Sequence, residues 1–239
     1  KATLMGRDIT FDQQGKYNLR IRKTLEAIYK HYDGDRTSDD FKALEVYLKR
    51  VWFSSGIYHH YGCEKFKPGF SEHFFYEAVS MMPETELPLK RGETKEDLLD
   101  ELVPVIFDEE ILPKRVNQTD GVDLVATSAC NFYENVTQDE VERFYARQKN
   151  GEDLTPLSYG LNSKLMKRNG EIVEMTWKEE GMYGTAIKEI TSWLLKAQKY
   201  AENEQQAHVI DLLIKYYRTG DLSDFDRYSI AWVKQQEGM

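Results

Sequence analysis

The sequence has little cysteine, no long apolar run and no excess of basic residues, and each shortage excludes a class of protein. Its two cysteines, Cys63 and Cys130, are too few for a disulfide framework and are not spaced like zinc-knuckle ligands, which favours a reducing compartment. The apolar runs are far shorter than the roughly 20 residues of a membrane-spanning helix. The net charge of -9 argues against nucleic-acid binding, because an acidic chain repels phosphates. We expect a globular, cytoplasmic protein that binds neither nucleic acid nor membrane.

The sequence also lacks the common catalytic and metal-binding motifs. It contains no Gly-x-Ser-x-Gly elbow and no Gly-rich phosphate loop. None of its histidines stands one helical turn from another, as two zinc ligands on one helix face would. The adjacent His59 and His60 point in different directions on a regular strand or helix, so they do not form a chelating pair there. The residues alone predict no catalytic residue and no metal ligand.

Apolar periodicity and capping residues predict a helix-rich α+β chain. Apolar residues at three- and four-residue spacing, preceded in several cases by a Ser or Thr cap, indicate helices at 18–32, 38–53, 71–82, 94–105, 137–151, 185–200, 209–217 and from 223 onward. Pro104 should kink or end the fourth of these. Asn169-Gly170 lies between two short apolar segments and predicts a β-hairpin over residues 161–177. No repeat or linker divides the chain, so residues 1–239 are treated as one domain with no internal boundary.

One stretch, residues 54–66 with the sequence SSGIYHHYGCEKF, concentrates aromatic and polar residues between two predicted helices. Gly56 and Gly62 allow the backbone to turn and to approach a ligand, Tyr58 and Tyr61 offer flat surfaces with polar tips, and Lys65 adds a cation. These residues predict a ligand-binding loop. The alternative is an aromatic-rich connector packed between helices. A further alternative is a nucleophilic Cys63 assisted by a nearby histidine, which sequence proximity supports only weakly.

Several stretches resemble dipeptidyl peptidase III, a zinc-dependent family that removes dipeptides from peptide N-termini. Residues 56–66 resemble the pattern Gly-x-Tyr-x-x-aromatic-Gly-x-x-Lys-Phe of that family. Further resemblances follow in the same order, at 159–165 (YGLNSKL), 181–183 (GMY), 196–203 (KAQKYAEN) and 229–233 (SIAWV). The similarity is to the bacterial branch and extends over nearly the whole chain.

The resemblance implies part of a two-lobed enzyme. In this family a helical lobe holds zinc, a lower lobe combines a small β-barrel or antiparallel sheet with helices, and peptides bind between them. The His-Glu zinc motif of the family is absent, so residues 1–239 are expected to be the N-terminal, substrate-side lobe of a longer peptidase. We expect no catalytic residue, no metal ligand and no activity of this chain alone, with zinc held by the missing lobe. Gly56, Tyr58, Tyr61 and Lys65 are the expected substrate-binding residues. The rival hypothesis is a non-catalytic domain that binds peptides or a partner.

Overall fold

The structure, a computed structural model, describes residues 2–235 and confirms the α+β class. The described residues form nine α-helices and three β-strands. The helices are α1 (Ala2–Gln14), α2 (Asn18–His31), α3 (Asp39–Ser54), α4 (Glu72–Met81), α5 (Lys95–Phe107), α6 (Gln138–Ala146), α7 (Gly184–Gln198), α8 (Glu204–Thr219) and α9 (Leu222–Lys234). The strands are β1 (Tyr133–Glu134), β2 (Ser163–Arg168) and β3 (Glu171–Thr176).

The contacts divide the described chain into two compact units. The first comprises Thr10–Asn131, and the second comprises the described residues before Thr10 and after Asn131. We call them the helical unit and the mixed unit. The expectation that residues 1–239 form one lobe of a larger enzyme concerns the parent protein, and it stays a prediction.

Four helices build the core of the helical unit. α2 packs on α3 and on α4, and α4 packs on α5. Their buried positions follow the three- and four-residue spacing that the sequence predicts, because only one stripe of each helix faces the others. The fully buried side chains include Leu25, Ile28, Leu44, Leu48, Phe75 and Leu102.

Side-chain caps begin the helices at several of the predicted residues. The hydroxyl groups of Ser38 and Ser71 accept hydrogen bonds from backbone N–H groups three residues on, at 3.2 and 3.1 Å. Thr94 and Thr137 form reciprocal capping boxes with the acidic residue three positions later. Each box satisfies two N–H groups that have no partner within the helix, so these helix starts are encoded locally.

Several helix boundaries differ from the prediction, among them the end of α6 at Ala146 and the start of α8 at Glu204. α5 does not end at Pro104 but continues to Phe107. Pro104 lies in the last turn on the exposed side, so the carbonyl that loses its N–H partner remains open to water. α9 begins at Leu222 and not at Ser223, because the carboxylate of Asp221 accepts from the N–H of Ser223 at 2.8 Å and caps the helix.

The mixed unit contains a three-stranded sheet in the order β1-β2-β3. β2 pairs antiparallel with β3, and Arg168 opposes Glu171 across a turn in which Asn169 and Gly170 have φ values of +50° and +85°. Two consecutive left-handed residues are what a two-residue hairpin turn requires, so the predicted hairpin at 161–177 is confirmed. β1 pairs parallel with β2, so the sheet is mixed and not antiparallel throughout. Within residues 2–235 the three strands form one open sheet and not a closed barrel, and isolated β-bridges lie outside it.

A buried carboxylate ties α8 to α9 in the mixed unit. Asp224 is 2% exposed. Its carboxylate lies 2.9 Å from the ammonium group of Lys215 and 2.6 Å from the guanidinium group of Arg227, and it accepts from the hydroxyl of Thr219 at 2.9 Å. The hydrogen bond from Lys215, above all, lowers the pKa of Asp224. A charge this deeply buried is stable only because its neighbours compensate it.

We predict that Asp224→Asn destabilises the protein by about 1–3 kcal/mol at neutral pH, because hydrogen bonds to a buried charge are lost. Because the pKa of Asp224 is lower in the folded state, its ionised carboxylate stabilises the folded protein at pH values above the ordinary Asp pKa of about 4. This stabilisation disappears as the pH falls through the folded-state value. Urea unfolding between pH 7 and pH 3 would measure both effects. Asp226→Asn, on the same helix, should change the unfolding free energy by no more than about 0.5 kcal/mol. Equal effects of the two substitutions would contradict the assignment.

Candidate functional site

Residues 55–66, which we call the 55–66 loop, form an irregular hairpin after α3 in the helical unit. The N–H of His59 donates to the carbonyl of Glu64 at 2.8 Å, and the N–H of Cys63 donates to the carbonyl of His59 at 2.9 Å. Below this turn, the N–H of Phe66 donates to the carbonyl of Ile57 at 2.8 Å. The tip of the loop therefore has a defined backbone conformation, although no regular strand is formed.

Gly56 is required by the close approach of Asn18. A β-carbon at position 56 would lie 2.1 Å from the side-chain nitrogen of Asn18, which is closer than van der Waals contact allows. The side-chain oxygen of Asn18 accepts from the N–H of Ile57 at 3.3 Å. Asn18 is buried, so the first residue of α2 fixes the position at which the 55–66 loop leaves α3.

Tyr58 is part of the core. Its side chain is 3% exposed, and its hydroxyl donates to the carbonyl of Leu112 at 3.0 Å. Burial raises the pKa of Tyr58, which keeps the hydroxyl neutral and available as a donor. The ring therefore holds the 55–66 loop against the segment after α5.

The ammonium group of Lys65 donates hydrogen bonds to backbone carbonyls. It donates to the carbonyl of Val105 at 3.0 Å, to that of Ile111 at 2.6 Å and to that of Asp108. These carbonyls lie at the end of α5 and in the turn that follows, where the helix leaves acceptors unpaired. Burial lowers the pKa of Lys65, and the nearby charges of Asp108 and Glu109 oppose that shift. Lys65 therefore acts as the C-terminal cap of α5.

Tyr61 differs from the other expected site residues because its side chain is 84% exposed. Its ring lies 4.2 Å from that of His60, measured between centroids. His59 and His60 are exposed as well, and Nδ1 of His59 accepts from the N–H of Gly62 at 3.1 Å. The tip of the 55–66 loop thus presents three neighbouring rings to solvent. The substrate-binding roles of Gly56, Tyr58, Tyr61 and Lys65 stay predictions.

Cys63 has no imidazole partner in the described residues. Its sulfur accepts from the guanidinium group of Arg115 at 3.5 Å and lies 3.8 Å from the carbonyl oxygen of Tyr61. A cysteine nucleophile needs a base within hydrogen-bonding distance, and His60 does not supply one here. The sequence did not reveal Asn18, Leu112 or Arg115 as partners of the loop, because each lies far from it along the chain.

The described residues do not fit a zinc ion. Within residues 2–235, no three His, Cys, Asp or Glu side chains come together in a way that could hold a metal. Zinc sites in proteins use three or four such ligands. No reaction step through zinc is therefore derived for this chain.

The fold resembles that of a solved peptidase. The chain aligns with the structure of DPP III from Caldithrix abyssi with a TM-score of 0.56 and 16% sequence identity. The alignment covers 99% of this chain and 32% of that chain. The chain therefore spans about a third of the length of the protein that it matches, and at this identity the likeness is one of fold.

A sequence comparison matches the C-terminal third of the chain to a peptidase family. Residues 156–239 match the model of peptidase family M49. This match and the fold match to a DPP III both agree with the predicted dipeptidyl peptidase III family. The four family-like stretches between residues 159 and 233 lie inside the matched segment, whereas residues 56–66 lie outside it. The predicted family is thus confirmed, and the bacterial branch stays a prediction.

Length and apolar character decide whether a helix can cross a membrane. Within residues 2–235, no helix combines the length and the apolar character that crossing a bilayer requires.

We predict that Lys65→Met destabilises the helical unit by about 1–3 kcal/mol, because three carbonyls lose a charged donor. Chemical unfolding would give the value. Lys67→Met is the matched control. Lys67 pairs with Glu109 at 2.6 Å on the surface, where both side chains are largely exposed, so its loss should cost no more than about 0.5 kcal/mol. A cost for Lys65→Met as small as that of the control would mean that the cap contributes little.

Removal of the hydroxyl group should change the free energy of unfolding differently at two buried tyrosines of the helical unit. The hydroxyl of Tyr47, a residue 2% exposed, has no hydrogen-bond partner among the described residues. Tyr47→Phe should therefore leave the unfolding free energy unchanged or raise it by up to about 1 kcal/mol. Tyr58→Phe should lower it by about 0.5–1.5 kcal/mol, because the carbonyl of Leu112 loses its donor. Parallel urea titrations would compare them, and a loss of stability in Tyr47→Phe would indicate an ordered partner for that hydroxyl.

Proposed function

We propose that this chain is the substrate-binding lobe of a zinc-dependent peptidase that releases dipeptides from the N-termini of peptides, and that it supplies no zinc ligand. The match of residues 156–239 to peptidase family M49 carries this proposal. We place the zinc-bearing part in the remainder of a longer protein, since the chain corresponds to 32% of the DPP III that it resembles.

The contribution of this lobe would be to position the peptide. Holding a substrate in the reactive geometry removes a large part of the entropic barrier, so a lobe without reacting groups can still raise the rate. Tyr61 is the exposed member of the expected site, and Gly56, Tyr58 and Lys65 hold the backbone that carries it. We propose that the 55–66 loop contacts the peptide chiefly through its exposed tip.

The alternative is a domain that binds peptides or a partner without catalysis. The observation in its favour is that residues 2–235 contain no group of metal ligands. Either function fits a cytoplasmic protein, and neither cysteine forms a disulfide, which agrees with a reducing compartment.

Zinc content and hydrolysis of a dipeptidyl naphthylamide test the proposal when this chain is compared with the complete gene product that contains it. We expect stoichiometric zinc and cleavage in the complete product, and neither in this chain alone. Tyr61→Ala in the complete product should raise KM by about three- to tenfold with zinc content unchanged, as loss of a binding contact would.

Two results would contradict the proposal. Stoichiometric zinc in this chain alone would mean that it has its own metal site. Absence of both zinc and cleavage from the complete product would favour the non-catalytic alternative. An unchanged KM in Tyr61→Ala would remove the tip of the 55–66 loop from the substrate site and leave the family assignment intact.

A further inference from the structure

A surface groove lies between α3 and the 55–66 loop in the helical unit. Its volume is about 670 Å³, within the roughly 300–1,000 Å³ of small-molecule sites. The lining residues include Val46, Lys49, Arg50, Phe53, His60 and Phe66. We call it the α3 groove. The α3 groove is distinct from the Tyr61 contact proposed above, because Tyr61 does not line it, but it adjoins the same loop tip through His60.

The walls of the α3 groove are apolar and aromatic. Phe53 is 81% exposed and Val46 is 50% exposed, so large apolar groups face water. The ring of His60 meets that of Phe53 edge to face at 5.6 Å, and the rings of His59 and His60 stack at 5.0 Å. An aromatic ligand would cover this surface and gain both apolar burial and ring contacts.

The charge of the α3 groove has one sign. Lys49 and Arg50 line it, and none of its lining residues is acidic. Lys49 is paired weakly, since its ammonium group lies 3.4 Å from the carboxylate of Glu45 and its side chain is 61% exposed. Arg50 has no ion pair among the described residues. A positive, apolar groove is unusual on a chain with a net charge of -9.

We propose that the α3 groove binds a small aromatic carboxylate. The ring would lie against Phe53 and Val46, and the carboxylate would pair with Arg50 and Lys49. A guanidinium group suits this role because it binds a carboxylate with two parallel hydrogen bonds. A neutral aromatic ligand would gain only the apolar part of the interaction. A cation would be repelled by both basic residues.

Binding of naphthylacetate and of its neutral amide, naphthylacetamide, tests the proposal by calorimetry and saturation-transfer NMR on the full chain. We expect the carboxylate to bind on the order of tenfold more tightly than the amide, the effect of one or two partly screened charge pairs. Higher ionic strength should weaken the binding of the carboxylate and leave the affinity for the amide unchanged.

Variants separate the two parts of the α3 groove. Lys49→Gln with Arg50→Gln should weaken naphthylacetate to the level of the amide, because only the ion pairs are lost. Phe53→Ala should lower the affinity for both ligands several-fold. These side chains are exposed, so the variants should keep the melting temperature of the wild type. Lys23→Gln with Lys30→Gln on α2 removes the same charge away from the groove and should leave both affinities unchanged.

Three results would overturn the proposal. Equal affinities for the carboxylate and the amide would show that the basic residues do not take part. An unchanged affinity in the variant of Lys49 and Arg50 would place the ligand elsewhere. No binding of either ligand at millimolar concentration would mean that the α3 groove is no ligand site.

Discussion

The ammonium group of Lys65 is the contact on which the arrangement of the 55–66 loop depends. Three carbonyls at the end of α5 and in the following turn have no helical partner, and Lys65 reaches them from the loop. The same contact ends a helix and positions a hairpin. Since α5 is anchored by its buried stripe, the position of the loop follows from the packing of the helices. The rings at the loop tip are therefore held by a scaffold that lies beneath them.

Local signals explain which helices and strands were predictable. The capping boxes at Thr94 and Thr137 involve residues three positions apart, and the hairpin at Asn169-Gly170 needs two neighbouring residues with positive φ. α1 was not predicted, because its apolar residues Leu4, Met5, Ile9 and Phe11 do not form a clear stripe at three- and four-residue spacing. α5 does not end at Pro104, because the effect of a proline depends on its distance from the end of the helix and on the exposure of the freed carbonyl.

The candidate site was less predictable than the fold, because its contacts join distant parts of the chain. The sequence pattern indicates that Gly56, Tyr58 and Lys65 matter, but it does not contain the reason. Asn18 lies 39 residues before Ile57, and Leu112 lies 54 residues after Tyr58. The spacing of apolar residues likewise assigns Phe53 to α3, but it does not indicate that the side chain is exposed at the C-terminal end of that helix. Exposure of that kind depends on which neighbours the fold brings to the helix.

Three positions at which the 55–66 loop resembles the dipeptidyl peptidase III family stabilise the structure of this chain. Gly56 admits Asn18, Tyr58 fills the core and bonds to Leu112, and Lys65 caps α5. Each requirement would apply whatever ligand the loop meets. His59 and His60, which the family pattern leaves unspecified, are the exposed residues beside the α3 groove. Gly56, Tyr58 and Lys65 thus describe how the loop is built, whereas Tyr61 and the unspecified His59 and His60 are the residues that its tip presents to a ligand.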